Sequence, residues 1–278
     1  MSDAINRLRG RMIRQLSFDT STANIHVALL EDERSMVQRV VEIDRAASSG
    51  DRQEIANLLI PTFEACLSEI GWKRHDLDCL IVGSGPGGFT GIRTGVVTAR
   101  ALAQALSLPL LAVSSLESIR LSLPTESALL LFATTAHFYG AKGSPDSLSC
   151  QYISLANLNE FLKGEHQAFV DNKTMRELEA QSSKTLPDGL WSLHLPPLRP
   201  LPELANMAVA QASCAWPRLS LKVGDICERL KHTSSHIGAS NEESKLLLRL
   251  ELCREFPYDA VLPTYLRAPS VTLKKTNV

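Results

Sequence analysis

The sequence predicts an α/β protein with two lobes, and three observations carry this prediction. The chain has 278 residues, which is roughly twice a working domain size of about 150 residues. Strand-like and helix-like segments alternate along it, and a glycine-rich turn joins a buried strand to the helix that follows. Hydrophobic residues make up 44% and charged residues 21% of the chain, so the composition is that of a globular protein and excludes a largely disordered or coiled-coil chain.

The first predicted elements are strands. Three runs rich in β-branched and apolar residues precede any helix, at 13–18, 24–30 and 36–43. Three successive strands predict a sheet that starts antiparallel. Residues 51–70 then repeat apolar side chains at helical spacing, and Gly71 ends the predicted helix.

A βαβ unit comes next. A compact strand at 78–82 leads into the glycine run GSGPGGFTG, which is followed by a helix at 92–106 and a strand at 109–113.

The second half of the chain has weaker patterns. It predicts strands at 128–133 and 151–155, helical pieces at 158–162 and 175–178, a connector with five prolines at 187–202, and a helix at 204–215. A last helix at 241–256 shows an apolar face made of Leu246, Leu247, Leu250 and Cys253.

Four regions follow from these elements. We expect a flexible N-terminal extension at 1–11, a first lobe at 12–123, a divergent second lobe at 124–215, and a C-terminal helical segment with a closing strand at 216–278.

Charge and cysteine usage limit the function classes. The formal net charge is −1, which excludes the global basic footprint of a dedicated nucleic-acid binder. The six cysteines stand singly, as expected for reduced thiols in the cytoplasm. The N-terminus lacks the apolar core of a secretory signal and no apolar run reaches membrane-spanning length, so we expect a cytoplasmic protein without membrane contact.

The glycine run has several interpretations. Gly83, Gly85 and Gly88 fit the pattern GxGxxG, but the first carboxylate after Asp78 is Glu117, too late for the ribose contact of a dinucleotide site. A phosphate-binding P-loop is excluded, because Phe89 stands where that motif needs lysine. Two interpretations stay open: an anion site at a helix N-terminus, or glycines that allow close packing.

No catalytic set is visible in the sequence. Asp19-Thr20-Ser21 after the first strand suits either a metal-bound phosphate or a tight bend. His232 and His236 lack the close cysteine pair of a zinc finger, and no Ser/His/Asp set or HExxH motif occurs. We therefore predict no metal site and no catalytic residue.

Three segments together resemble one family. They are Asp19-Thr20-Ser21, the run GSGPGGFTGIRTG at 83–95, and Ala112-Val113-Ser114-Ser115-Leu116-Glu117. In this combination the chain resembles the TsaB (YeaZ) family, the non-catalytic subunit of the bacterial machinery that adds threonylcarbamoyl to the adenosine beside the tRNA anticodon. Pro263 to Arg267 is similar to the closing signature of that family.

The resemblance implies a two-lobed actin-like fold, related to ribonuclease H and to sugar kinases (the ASKHA folds), with a degenerate nucleotide site. Its phosphate-loop-like residues would be Asp19, Thr20, Ser21, Gly85, Gly87, Gly88, Thr90 and Gly91. The chain would need no cofactor of its own, although the resemblance allows ATP or ADP at a partner interface.

The resemblance also implies partners. A TsaD-type catalytic subunit would bind the two helices of the first lobe, a TsaE-type ATPase would join the larger complex, tRNA would be contacted indirectly, and a homodimer is a further expected assembly. The candidate interface residues are Leu58, Leu59, Phe63, Arg93, Val96, Ala99, Arg100 and Ala103. We expect a bulky charged residue at Ala99 or Ala103 to break the heterodimer and leave the monomer folded.

A rival interpretation is an enzyme of the same fold, a small-molecule kinase or carbamoyltransferase. It would use Asp19 for a metal-bound phosphate and the turn from Gly85 to Gly91 for the nucleotide.

Overall fold

The computed structural model describes residues 12–22, 24–43, 51–144, 147–182, 198–200, 207–233 and 241–264. Within these ranges the strands form two five-stranded sheets. The first contains β1 (Arg14–Asp19), β2 (Asn24–Glu31), β3 (Arg34–Glu42), β4 (Cys79–Gly83) and β5 (Leu110–Val113). The second contains β6 (Ser127–Thr134), β7 (His137–Lys142), β8 (Ser149–Ser154), β9 (Gln167–Val170) and β10 (Leu198–Pro200).

The two sheets repeat one topology. The first has the order β3-β2-β1-β4-β5, and the second has the equivalent order β8-β7-β6-β9-β10. In both, the three strands that come first in the chain pair antiparallel, and the remaining strands add in parallel. Each lobe is therefore an antiparallel meander extended by parallel crossovers, and the predicted two-lobed α/β class is confirmed.

Seven α-helices cover the sheets in the described ranges. They are α1 (Asp51–Glu69), α2 (Phe89–Leu106), α3 (Ser115–Leu121), α4 (Leu158–Leu162), α5 (Asn172–Ser182), α6 (Met207–Thr233) and α7 (Asn241–Glu255).

The first sheet is buried on both faces. Leu16 and Phe18 of β1 point into a core shared with α1 and α2, which supply Leu59, Phe63 and Val96 among others. The opposite face packs against α6 and α7 in a second core. Burial on both faces explains why β1 and β4 are nearly continuous buried runs rather than alternating ones.

The second sheet is packed in the same way. Helices α4 and α5 cover one face, with Phe138, Phe161 and Leu178 at the centre of that core. The other face packs on α3 through Leu116 and Ile119. Helix α3 also packs along α6, so α3 connects the two lobes.

Most predicted elements are present with ends shifted by a few residues. The sequence patterns missed β7, β9 and α3, and they treated 187–202 as a connector although Leu198–Pro200 forms β10 beside β9. Proline is tolerated there because β10 is an edge strand, where a missing N–H leaves no neighbour unpaired.

The predicted domain boundary between residues 215 and 216 is wrong. One helix, α6, runs through it from Met207 to Thr233. The N-terminal part of α6 packs on the first sheet through Ala208, Ala212 and Ala215. Small side chains let this helix lie close to the strands, so residues 207–215 complete the first lobe and not the second.

The predicted apolar face of α7 is also wrong. Leu246, Leu247 and Leu250 are 55%, 41% and 47% exposed, whereas Leu248 and Leu252 are buried in the core against the first sheet. The helix carries leucines on two faces, and periodicity alone could not decide which face meets the sheet.

Some predicted features lie outside the described residues. These are the extension at 1–11, the closing signature from Tyr265 onward, and His236. Among the described helices, none combines the length and apolar character needed to cross a bilayer.

Candidate functional site

The candidate site lies where β1 and β4 end, between the two lobes. Asp19 is the last residue of β1 and is completely buried. The Ser21 amide donates a 2.6 Å hydrogen bond to its Oδ1, while the Ser115 hydroxyl (2.5 Å) and the side-chain amide of Gln211 donate to its Oδ2. The carboxylate is thus held by donors from three parts of the first lobe.

The glycine run packs directly on the bend that follows Asp19. A β-carbon at Gly83 would collide with the Asp19 carboxylate, one at Gly87 with Ser21, and one at Gly91 with the Thr20 carbonyl. The backbone is also hydrogen-bonded across this contact, because the Gly88 amide donates to the Ser21 carbonyl over 2.6 Å. The structure therefore favours close packing over an anion site at this turn.

The remaining loop contacts lock the same junction. The Thr20 hydroxyl donates to the Gly91 carbonyl (2.8 Å), and the Ser115 amide donates to the carbonyl of Gly85 (2.8 Å). Gly85 has φ +97°, a conformation that favours glycine. Thr90 lies half-buried in the first turn of α2.

A small cavity separates the lobes beside this junction. Its volume is about 150 Å³, which is below the roughly 300–1,000 Å³ of typical ligand pockets. Its lining includes Ser21, Thr22, Pro86, Gly87, Gly88 and Phe89 from the first lobe, and Phe132, Tyr139, Asp171 and Lys173 from the second.

The charged groups of the cavity already have contacts. Asp171 Oδ1 accepts a 2.7 Å hydrogen bond from the Thr174 amide and so caps α5. The Lys173 ammonium lies 3.9 Å from the centre of the Phe132 ring. The Tyr139 hydroxyl donates to the Gly87 carbonyl at 3.5 Å. This cleft is small and internally bonded, and Asp19 does not line it.

Burial raises the pKa of the cysteine thiols whose side chains the structure describes. Burial raises the pKa of the Cys66 and Cys150 thiols to about 11, and burial also raises the pKa of Cys79 and Cys214. Because the thiolate is the reactive form, these side chains are inert at neutral pH.

Five of the predicted interface residues are core residues. Leu59, Phe63, Val96, Ala99 and Ala103 are at most 1% exposed and pack between α1, α2 and the first sheet. Their side chains cannot touch a partner, and a charged residue at Ala99 or Ala103 would be buried without a counter-ion and unfold the lobe. Burial of Ala99 and Ala103 therefore argues against the expectation that such variants leave the monomer folded.

The outward face of α2 is formed by other residues. Arg93 is exposed and Arg100 is partly exposed, whereas Leu58, the remaining predicted interface residue, is partly exposed on α1. Val97 is 65% exposed, and Ala101 and Ala105 follow it on the same face. The predicted interface included Ala99 and Ala103, which face inward. Ala101 and Ala105 of the same helix face outward.

Sequence reasoning also missed Gln211 and Ser115. Both are fully buried, and they lie 192 and 96 positions from Asp19 in the chain. Ser115 stood within a quoted motif, but only the packing of α3 and α6 against β1 shows that these side chains meet the carboxylate.

The chain is similar to several known proteins. The TsaD family model, described as tRNA N6-adenosine threonylcarbamoyltransferase, matches residues 52–274. The chain is 31% identical over 104 residues to TsaB, a tRNA threonylcarbamoyladenosine biosynthesis protein of Bacillus subtilis; this match covers 37% of the chain and 42% of the relative. It is 33% identical over 115 residues to a tRNA N6-adenosine threonylcarbamoyltransferase of Erythrobacter litoralis, covering 38% of the chain and 33% of the relative.

Among solved structures, YeaZ from Pseudomonas aeruginosa is similar, with a TM-score of 0.51, 23% identity, and coverage of 74% of this chain and 93% of that one. This likeness and the duplicated sheet topology confirm the predicted actin-like fold. The chain spans about two fifths or less of the length of these two curated relatives.

Proposed function

The chain belongs to the TsaD family of tRNA N6-adenosine threonylcarbamoyltransferase proteins, and within it we propose that this member is a non-catalytic scaffold subunit like TsaB. It would support a TsaD-type enzyme that attaches threonylcarbamoyl to the adenosine next to the anticodon in tRNA. Its work would take place in the cytoplasm, with tRNA bound mainly by the partner.

One observation carries the non-catalytic part of this proposal. Asp19 stands where the rival enzyme would hold a metal-bound phosphate, yet its two oxygens accept hydrogen bonds from Ser21, Ser115 and Gln211. Releasing the carboxylate for a metal would break a buried network and leave its donors unpaired.

The outward face of α2 supports the scaffold part. Val97, Ala101 and Ala105 make a slim apolar strip, and Arg93 and Arg100 flank it. Small residues let a partner helix approach closely, and exposed apolar groups contribute free energy when a partner covers them. We propose that a TsaD-type subunit, or a second copy of this chain, binds to this face of α2. ATP or ADP would be bound only when the partner is present. A TsaE-type ATPase would join the resulting complex.

Light scattering after size-exclusion chromatography tests the proposal directly. The wild-type chain is mixed with the TsaD-type protein of its own genome, beside Val97→Glu and the matched control Leu247→Glu, which places the same charge on exposed α7. We expect a one-to-one complex for wild type and control, and at least ten-fold weaker association for Val97→Glu.

The outcomes separate the two parts of the proposal. If wild type and partner elute apart, the scaffold role is wrong. If Val97→Glu binds as well as wild type, the scaffold role survives but the α2 face is not the interface.

A second candidate function is threonylcarbamoyl transfer by this chain itself. It is favoured by the match to the Erythrobacter protein, which bears the name of the transferase. Threonylcarbamoylation of tRNA by the isolated chain, without a TsaD-type partner, would establish it and exclude the scaffold role.

A further inference from the structure

The outer edge of the first sheet is open at β5. In a parallel ladder, the N–H and C=O of one residue point to the same side and successive residues alternate. Leu80 N bonds to the Pro109 carbonyl (3.0 Å) and Ser84 N to the Val113 carbonyl (2.9 Å), so residues 109, 111 and 113 face β4. Leu110 and Ala112 therefore turn their backbone groups away from the sheet.

Only one of these outward groups is bonded in the described part of the chain. The Leu110 amide donates to the Phe256 carbonyl over 3.1 Å. The N–H and C=O of Ala112 have no hydrogen-bond partner among the described residues. An unpaired donor and acceptor on an edge strand are a template for another backbone.

A cavity lies directly over these groups. From Phe256 the chain arches away through a 3₁₀ turn at Tyr258–Ala260, and it returns at Thr264, whose amide donates to the Ser84 carbonyl over 2.7 Å. The space between this arch and β5 measures about 520 Å³ and is lined by Leu110, Leu111 and Ala112 on one side and by Val261 and Leu262 on the other. This volume is within the range of ligand sites.

The two ends of the cavity carry opposite charges. Arg218 lies at the Leu110 end, with its guanidinium carbon 5.9 Å from the centre of the Phe256 ring. Glu117 lines the other end of the cavity. It lies on α3, which begins shortly after Val113, the last residue of β5. Neither has an ion-pair partner within the described ranges, whereas Glu255, which also lines the cavity, pairs with Lys222 at 3.1 Å.

We propose that the edge of β5 binds an extended peptide segment of a partner protein as an added strand. The peptide backbone would bond to Ala112, an acidic side chain would face Arg218, and a basic side chain further along the peptide would face Glu117. This site lies on the edge strand and not on the outward face of α2, and it goes beyond the proposed function.

Ala112→Pro is the sharpest test of the backbone contact. Proline removes only the N–H that points away from β4 and so keeps the pairing between β4 and β5. Ala112→Ser is the matched control, because it retains the N–H at nearly the same size. A phage-displayed library of random seven-residue peptides is selected on the full-length wild-type chain, and the enriched peptides are measured by fluorescence anisotropy on all three proteins.

We expect enriched peptides to bind wild type and Ala112→Ser alike, and Ala112→Pro at least ten-fold more weakly. Arg218→Glu should weaken peptides with an acidic residue about five-fold. Failure to enrich any peptide, or equal binding to Ala112→Pro, would overturn the proposal.

Hydrogen exchange of the Ala112 amide, followed by NMR on the wild-type chain, does not depend on the folding of a variant. We expect rapid exchange in the free protein and at least ten-fold slower exchange with a saturating enriched peptide. Slow exchange in the free protein would mean that other residues of this chain already cover the edge, and unchanged exchange with peptide would mean that it binds elsewhere. Either result would contradict the proposal.

Discussion

At the scale of single residues, the surroundings of Asp19 are the observation that supports a scaffold over an enzyme. An aspartate at the end of a first strand suits both a metal-bound phosphate and a buried structural contact. Here Ser21, Ser115 and Gln211 donate hydrogen bonds to the two carboxylate oxygens, which supports a structural role for Asp19. The Asp19 carboxylate also explains why residue 83 is glycine, because a β-carbon there would collide with it.

Asp19→Asn should therefore destabilise the protein. The asparagine NH₂ would face a donor, because Ser21, Ser115 and Gln211 all donate at this site. We expect the free energy of unfolding in urea to fall by about 2–4 kcal/mol, the range for breaking buried charge-assisted hydrogen bonds.

Asp259→Asn is the matched control, because Asp259 is exposed and the same substitution there should change stability by less than about 0.5 kcal/mol. If Asp19→Asn were as stable as wild type but lost affinity for Mg-ATP, Asp19 would be a ligand-binding residue and the structural interpretation would fail.

At the scale of elements, the junction between α2 and the bend after β1 explains the glycine run. The glycines let the start of a helix lie against the backbone of Thr20 and Ser21. The pattern GxGxxG is that of a dinucleotide-binding motif in sequence, but in the structure these glycines allow close packing of the backbone. A strand, a glycine turn and a helix occur in this order both in a dinucleotide site and in a close packing contact, so the sequence alone could not distinguish the two.

Two glycine substitutions on α2 test this explanation. Gly91→Ala should lower the free energy of unfolding by about 1–3 kcal/mol, because its β-carbon would overlap the Thr20 carbonyl. Gly88→Ser should raise it by a few tenths of a kcal/mol: its β-carbon would lie 3.4 Å from the Ser21 carbonyl, and a serine at this N-cap supplies the missing side-chain cap.

Chemical denaturation followed by circular dichroism measures both variants. Equal stability of Gly91→Ala and wild type would mean that the bend and the helix are not held in contact.

At the scale of the whole molecule, the two lobes repeat one topology, and the cavity between them beside Ser21 and the glycine turn is small. Helix α3 packs on the second sheet and along α6. The cavity between the lobes beside the glycine turn has a volume of about 150 Å³. A closed cleft and an occupied Asp19 together predict that the isolated chain does not bind nucleotide.

Mg-ATP at 1 mM should accordingly shift the melting temperature by less than about one degree. A site with a Kd near 10 μM would raise the free energy of unfolding by about 2.7 kcal/mol at this concentration and shift the melting temperature by several degrees. Differential scanning calorimetry makes the comparison, with the TsaD-type partner, alone and in complex, as the reference. A shift of several degrees for the isolated chain would favour the kinase-like rival.

Local sequence signals were sufficient to predict the order of the elements in the first lobe. Apolar periodicity and turn residues are local signals, and they predicted β1 to β5, α1 and α2 with ends only a few residues from those observed. Short motifs were sufficient to indicate the family, since the glycine run and the residues after β5 lie within 83–117. The strand β7 contains Gly140 and Ala141, which are depleted in strands, and β9 has only four residues, so neither carried a clear strand signal.

Only the tertiary structure decided what the site residues do. Gln211 and Asp19 are 192 positions apart, and their contact depends on α6 returning to the first sheet, which no local pattern encodes. The side of α2 that faces inward, the side of α7 that packs, and the open edge of β5 were decided in the same way. A helix or strand with apolar residues on more than one face can pack in several orientations, and the neighbouring sheet selects one of them because only that orientation fills the core.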